Sequence, residues 1–435
     1  RKPYSTKENY CDGTIYKDFI DMLDFTKIEF EKNLSPELIC TEYKSISIWS
    51  VIRLSVLDQV YQTKRGDIKN KLVSPKYWRK FLKGFEVVLS FIFFILTVLK
   101  SKNVRAIIRV NSFSILGEKD GQILFKNKNL QDIYNSYEKR ECLVIINQLD
   151  DYRLKEKIVS GTLFTTKINI LFGIVLYILN KSVVDSKSLE FSRLLPLKSG
   201  FFKKVFTRQL ASFYIWYTVY KFIKPSIIYY ECPHFCFEAE IVAGKTNKIP
   251  TVEIYHGGVT LYEISYFQIH LNFNHLVHSV CDTYISPSQG QTEFISSINK
   301  KYTTVNTVKF KPTFLLSSKQ KKQLNNYQNL VNLKKKNLLF IASISDGDIE
   351  DISEYITKNN LNNNDYSSIS LRLHPDDSKS RWLSFMDTFK QVHYTNLSLT
   401  EDIMQAHVLV VLSSTVILQL KAHGINFINL CRAPI

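Results

Sequence analysis

The chain has 435 residues, more than one hydrophobic core normally serves, so two domains or more are expected. A composition of 45% hydrophobic and 22% charged residues excludes a disordered polymer, and seven cysteines at wide, irregular spacing exclude a disulfide framework and point to a reducing, cytoplasmic compartment. Fifty-seven Lys and Arg against 40 Asp and Glu leave a formal charge of +17, which favours an anionic partner: nucleic acid, an acidic bilayer surface or a phosphorylated substrate.

The opening "RKPYSTKENY" has no initiator Met, no apolar signal core and no small-residue cleavage site, so it reads as a trimmed chain and secretion is not expected. Residues 1 to 100 read as mostly helical, with "SIWSVIRLSVLDQVY" at 47 to 61 placing Ile48, Ile52 and Val56 on one face and Trp49 and Arg53 on the next. "FEVVLSFIFFILTVL" at 85 to 99 is flanked by Lys80, Lys83, Lys100 and Lys102. As a helix it reaches about 22 Å, short of a bilayer core of about 30 Å, so a buried or interfacial helix is expected rather than a span. "INILFGIVLYIL" at 168 to 179 is shorter still. The basic stretches "RKFLK" at 79 to 83 and "FFKKVF" at 201 to 206 suit peripheral contact with an anionic membrane, or equally solvated faces around core helices.

From "VRAIIRV" at 104 onward, β-branched runs alternate with helical stretches: "CLVIINQ" at 142, a long helix around 205 to 222, "SIIYY" at 226, a helix after Pro233, then "TVEIY" at 251. Alternation of this kind predicts a parallel α/β sheet. The lysine-rich, polar stretch from 317 to 337 reads as an interdomain linker. Beyond it the pattern restarts with "LLFIASIS" at 338, "SSISLRLHP" at 367, "FKQVHYTN" at 389, "VLVVLSS" at 408 and "NFINL" at 426. The expected organisation is a helical region over 1–100, a Rossmann-like domain over 101–316, the linker at 317–337 and a second Rossmann-like domain over 338–435. In open α/β sheets ligands bind beyond the carboxyl ends of the strands.

Three motifs sit at such ends. In "VEIYHGGV", His256 follows a strand, and Gly257 and Gly258 permit a sharp turn and close ligand approach. In "LRLHPDD", Pro375 fixes an extended exit so that His374 projects from the sheet edge, with Arg372 two residues earlier on the same side, and Arg372, His374 and Pro375 are expected at the donor phosphate. In "LSSTVILQLKAHG", Ser413, Ser414 and Thr415 open a helix whose start is an anion site. Each has a plainer reading, as turn residue, loop histidine or helix cap. Cys232, His234 and Cys236 in "ECPHFCFEAE" have no second ligand pair at a zinc spacing and are read as small residues beside a turn. No metal is expected.

The set "YHG", "LHP" and "LSST" followed by "HGINFINL" resembles the GT-B glycosyltransferases of bacterial surface polysaccharides that use CMP-activated sugars, the Kdo- and sialyltransferases. It is similar too to the CDP-glycerol glycerophosphotransferases of teichoic acid synthesis. The resemblance spans about 225 to 430 and implies a first, acceptor domain facing a second, donor domain across a cleft. It implies that His374, Ser413 and Ser414 grip the donor phosphate, and that His256 is a candidate base for the acceptor hydroxyl, as an imidazole near neutrality suits. Glu231, at the end of "IIYYE", is the best carboxylate rival. The acidic pair followed by glycine that sialyltransferases carry in the first domain has its nearest counterpart in "SDGDIED", Ser345 to Asp351, after the second domain's first strand, where Asp346 is expected to line the donor pocket.

The resulting expectation is a metal-independent, cofactor-free GT-B glycosyltransferase. It moves Kdo or another acidic sugar from a CMP donor to a lipid-linked capsule or O-antigen glycan at the inner face of the bacterial cytoplasmic membrane. The same fold moving a glycerol or ribitol phosphate from a CDP donor, and a non-catalytic GT-B-like binding domain, are the alternatives. No nucleic-acid partner is expected, because neither a helix-turn-helix nor an RNA-recognition signature is present.

Overall fold

The computed structural model describes residues 42–43, 46–49, 51–53, 56, 95–96, 98–102, 104–110, 114–120, 122–138, 140–146, 162–164, 175, 178–194, 199–231, 237–255, 279–298, 304–312, 316–328, 336–343, 347–361, 366–374 and 377–430. His256, Gly257, Gly258, Asp346 and Pro375 lie outside these, as do Cys232, His234 and Cys236.

Apolar runs become strands of parallel sheets buried on both faces. β1, Ala106–Val110, is buried at every position. A hairpin follows, β2 (Ile115–Lys119) and β3 (Gln122–Phe125), turning at Asp120 with φ 53°. Next come α1 (Lys128–Asn135), β4 (Cys142–Ile146), β5 (Thr162–Phe164), α2 (Lys181–Leu194) and α3 (Ser199–Ile223). The first unit is completed by β6 (Ile227–Glu231), α4 (Glu238–Thr246), β7 (Thr251–Ile254), β8 (Thr283–Ser286), α5 (Gln289–Ile298) and β9 (Thr304–Thr307). Seven strands form one sheet in the order β9-β8-β7-β6-β1-β4-β5, every pairing parallel. The order reverses between β1 and β6, the topological switch point.

α3 is the long helix expected around 205 to 222. Phe202, Phe206 and Leu210 pack with Ile48, Trp49, Ile52 and Val56 and with Val184 and Phe191 of α2. Phe213, Trp216, Tyr220 and Ile223 join the core of the seven-stranded sheet. The spacing of three and four keeps all of these on one face, so one helix ties the early helical segment to the sheet. Within that core the Arg109 side chain, fully buried in β1, makes a bidentate pair with Glu240 of α4 and lies 4.6 Å from the Trp216 ring and 4.7 Å from that of Phe237.

The second unit contains α6 (Ser318–Gln328), β10 (Lys336–Ile341), α7 (Asp348–Lys358), β11 (Tyr366–Arg372), α8 (Leu383–Thr388), β12 (Val392–Tyr394), α9 (Leu399–Gln405), β13 (Val408–Val411), α10 (Ser414–His423) and β14 (Ile428–Asn429). Its sheet runs β12-β11-β10-β13-β14, all parallel, with the switch point between β10 and β13. Alternate strand residues feed two cores. Leu338, Phe340 and Leu371 pack under α7 and α8, whereas Leu339, Ile341 and Val411 pack under α6, α9 and α10. Both units are thus doubly wound α/β structures, as the alternation of runs predicts.

The stretch read as a linker differs in one respect. Ser318–Gln328 is a helix, and Leu324 on it is fully buried against the second sheet. A single apolar anchor among lysines, asparagines and glutamines supplies no periodicity to recognise, yet docks the helix.

Candidate functional site

The second sheet's carboxyl edge is built by register. Ile341 of β10 pairs with Arg372 on one side and Val411 on the other, so the three form one row. Ser343, His374 and Ser413 each lie two residues beyond that row, on adjacent strands around the switch point. With strands about 4.8 Å apart, the His374 and Ser413 backbones are separated by roughly 10 Å, a gap that two side chains and a phosphate fill.

Each strand exit is fixed locally. Arg372 donates through Nη1 to Asp402 of α9 and to the Leu397 carbonyl, each at 2.6 Å. Asp402 is buried and also accepts from Thr395 Oγ1 at 2.5 Å. α9 begins with a reciprocal capping box between Ser398 and Glu401. Ser413 is the N-cap of α10, buried, with its side chain making no capping bond, and α10 closes at Gly424 in the left-handed conformation, φ 68°. Thr415 is half-buried on the first turn. The amino end of α10, with Ser413 as its N-cap, therefore presents backbone N–H groups at the switch point.

At β10, Asp348 opens α7 and accepts from the Ser343 backbone N–H at 2.6 Å and from the Ser343 hydroxyl. Burial pushes its carboxyl up to about 6, against the lowering effect of those bonds and of Arg381. At β11, the Asp377 N–H donates to the His374 carbonyl at 2.9 Å. Asp377 in turn accepts from Trp382 Nε1 at 2.8 Å and pairs with Arg381 at 3.0 Å.

On the first sheet, Glu231 pairs in register with Ile254, which pairs with Ile285, while Arg109 sits opposite Tyr230. Glu231 thus ends β6 beside the β1–β6 switch point, 1% exposed. Tyr255, the residue before His256, is held on three sides. Its N–H donates to Ile285 O, its carbonyl accepts from Asn127 Nδ2 at 2.7 Å, and its hydroxyl accepts from Asn129 Nδ2 at 2.8 Å. Asn127 simultaneously caps α1 through its side-chain oxygen. Burial raises the Tyr255 phenol, with the bond from Asn129 opposing and the Glu231 charge adding to the shift.

The structure brings Arg372, His374, Ser413 and Thr415 to one sheet edge and puts Glu231 at the matching edge of the other sheet. Ser414 is the first residue of α10. The sequence reading passes over Asp377, Asp402, Asp348 and Tyr255, the groups that fix these exits. The acid that closes "LHPDD" and the Ser398 to Glu401 box were signals for two of them. Among the described residues no three metal-ligating side chains converge.

No family model matches the chain, and no curated protein matches it. Solved structures do. A protein of Anabaena in complex with UDP and glucose is 12% identical with a TM-score of 0.43, over 75% of this chain and 80% of that one. A lipopolysaccharide outer core galactosyltransferase is 11% identical with a TM-score of 0.43, over 74% and 80%. A UDP-N-acetylglucosamine 2-epimerase from Rickettsia bellii is 10% identical with a TM-score of 0.40, over 76% and 80%.

Proposed function

We propose that the chain is a GT-B glycosyltransferase that works without a metal and moves Kdo or another acidic sugar from a CMP donor to a lipid-linked bacterial glycan. The observation that carries this reading is the row Arg372, Ile341 and Val411, beyond which His374, Ser343 and the α10 start with Ser413 follow three adjacent strands, the switch point lying between the last two. A histidine, a hydroxyl and open helix N–H groups together meet the charge of a donor phosphate. In the proposed arrangement the carboxyl edges of the two sheets face each other, which brings the acceptor to His256 at the edge where Glu231 ends its strand.

In the reaction the acceptor hydroxyl oxygen forms a bond to the anomeric carbon, the bond from that carbon to the phosphate oxygen breaks, and CMP leaves with the electron pair. The hydroxyl proton passes to His256. Glu231, almost fully enclosed, shapes the same edge rather than touching the acceptor. His374, Ser413, Ser414 and Thr415 hold the developing charge on the phosphate, and Arg372 orders the edge through Asp402. Peripheral contact with the inner leaflet is supported by Leu99, Ile178 and Leu179, which are 56%, 67% and 73% exposed, with Lys100, Lys102 and Lys181 close by in sequence.

The test is turnover with CMP-Kdo, CMP-sialic acid and CDP-glycerol in the presence of a glycolipid acceptor. The reading predicts CMP release with the sugar, and no phosphate, on the lipid, and a loss of about 100-fold or more in His256→Ala. Phosphate retained in the product identifies the polyol-phosphate reaction instead. Unchanged turnover in His256→Ala rejects the assigned base.

A further inference from the structure

His374 is not held by its strand alone. An i to i+3 bond from Asp377 N–H to the His374 carbonyl, 2.9 Å, closes the chain on itself just beyond the sheet. What fixes the far end of this closure is the Asp377 side chain, only 4% exposed. Its Oδ2 accepts from Trp382 Nε1 at 2.8 Å and pairs with Arg381 Nη2 at 3.0 Å, and its Oδ1 accepts from Ser378 N–H at 2.8 Å.

Trp382 carries the fixation into the core. It is fully buried, packs edge-on against Phe385, and shares a core with Ile369 and Leu371 of β11 itself. Arg381 lies 5.3 Å from the Trp382 ring centroid, and its charge opposes the rise that burial imposes on the Asp348 carboxyl beyond β10. A carboxylate with this many fixed donors has one orientation available. A continuous path therefore runs from the sheet core through the Trp382 indole and the Asp377 carboxylate to the backbone of His374.

We infer that Asp377 is the positioning residue for His374, a carboxylate brace that holds the imidazole where the donor phosphate binds. The inference rests on the nucleotide-binding reading above and extends it to a residue that touches no substrate. Asp377→Asn keeps the size of the side chain and removes the charge that Arg381 pairs with. Arg381→Gln removes the same pair from its partly exposed side without entering the core.

Two readouts separate this inference from the reading beneath it. The first is the imidazole 1H–13C correlation spectrum of the histidines, with the His374 signal assigned by its loss in His374→Ala. Asp377→Asn is expected to move the His374 signal, and Arg381→Gln to move it less, while the signals of His393, on β12, and His407, just before β13, stay in place. The second is the affinity for CMP in a double-mutant cycle. Asp377→Asn is expected to weaken binding about tenfold in the native background and to add little once His374 is alanine. An unmoved His374 signal overturns the brace whatever the nucleotide does. Equal weakening by Asp377→Asn with and without His374 also overturns it, since the effect then bypasses the imidazole. A native chain that binds no nucleotide while the His374 signal still moves overturns the reading beneath, and with it the brace's role in phosphate binding.

Discussion

Arg109 and Glu240 place a full ion pair inside the first sheet's core, at 0% and 1% side-chain exposure. Burial raises the Glu240 carboxyl above its ordinary value although Arg109 opposes the shift, so the pair depends on both partners being present. Glu240→Ala leaves a guanidinium buried among Trp216, Tyr220 and Phe237 and is predicted to cost about 3–5 kcal/mol in urea unfolding. Arg109→Met with Glu240→Leu should recover most of that loss, and a single substitution costing under about 1 kcal/mol would contradict the account. Asp348 gives a pH signature of known sign. Its folded value of about 6 lies above the ordinary 3.8, so the native state holds the proton more tightly. The stability it contributes is present below the ordinary value and is lost as pH rises through about 6. Asp348→Asn should therefore flatten the stability profile between pH 4 and 7. A mutant profile parallel to the native one would exclude burial of this carboxyl. His407 runs the other way: burial lowers its imidazole, whose Nδ1 accepts from Asn337 N–H at 2.9 Å, so stability linked to it falls as pH drops below about 6.5.

Elements with strong patterns are legible from residue order alone. The fully buried runs at Ala106–Val110 and Cys142–Ile146, the long α3, and β10, β11, β12 and β13 all lie where the apolar runs point. Others lack such a signal. β9 reads "TVNT" with a largely exposed pattern, so hydrophobicity does not mark it, and α6 carries one buried leucine among polar residues. The β2–β3 hairpin did carry a mark, the Asp120–Gly121 pair between two short runs. In the site, residue order puts His374 and Ser413 at strand ends, but the contacts of Asp377, Asp402 and Asp348 arise from side chains meeting across elements, which periodicity does not encode. At α10 the closing residue is also testable. Gly424 has φ 68° with open space around the position of a Cβ, so Gly424→Ala meets only backbone strain. A cost of about 1 kcal/mol by chemical denaturation is expected, and no cost at all would mean that the helix ends otherwise.

The whole molecule joins two doubly wound parallel sheets and an excess of 17 positive charges, and no helix among the described residues is long and apolar enough to cross a membrane. Exposed Ile178 and Leu179 next to Lys181 make an apolar and basic margin. Co-flotation with phosphatidylglycerol vesicles, weaker with phosphatidylcholine and reduced by salt, is predicted, with Leu179→Asp lowering the bound fraction several-fold. Equal flotation of the mutant would remove this margin from the contact. At its narrowest, the proposed function requires the carboxyl edge of the second sheet to bind a nucleotide phosphate through His374. Calorimetric titration with CMP, CDP, UDP and GDP, on the native chain and on His374→Ala, tests it most directly. A cytidine nucleotide is expected to bind the native chain, and the substitution to weaken it at least tenfold, about 1.4 kcal/mol. Absence of nucleotide binding, or an affinity unchanged in His374→Ala, would contradict it.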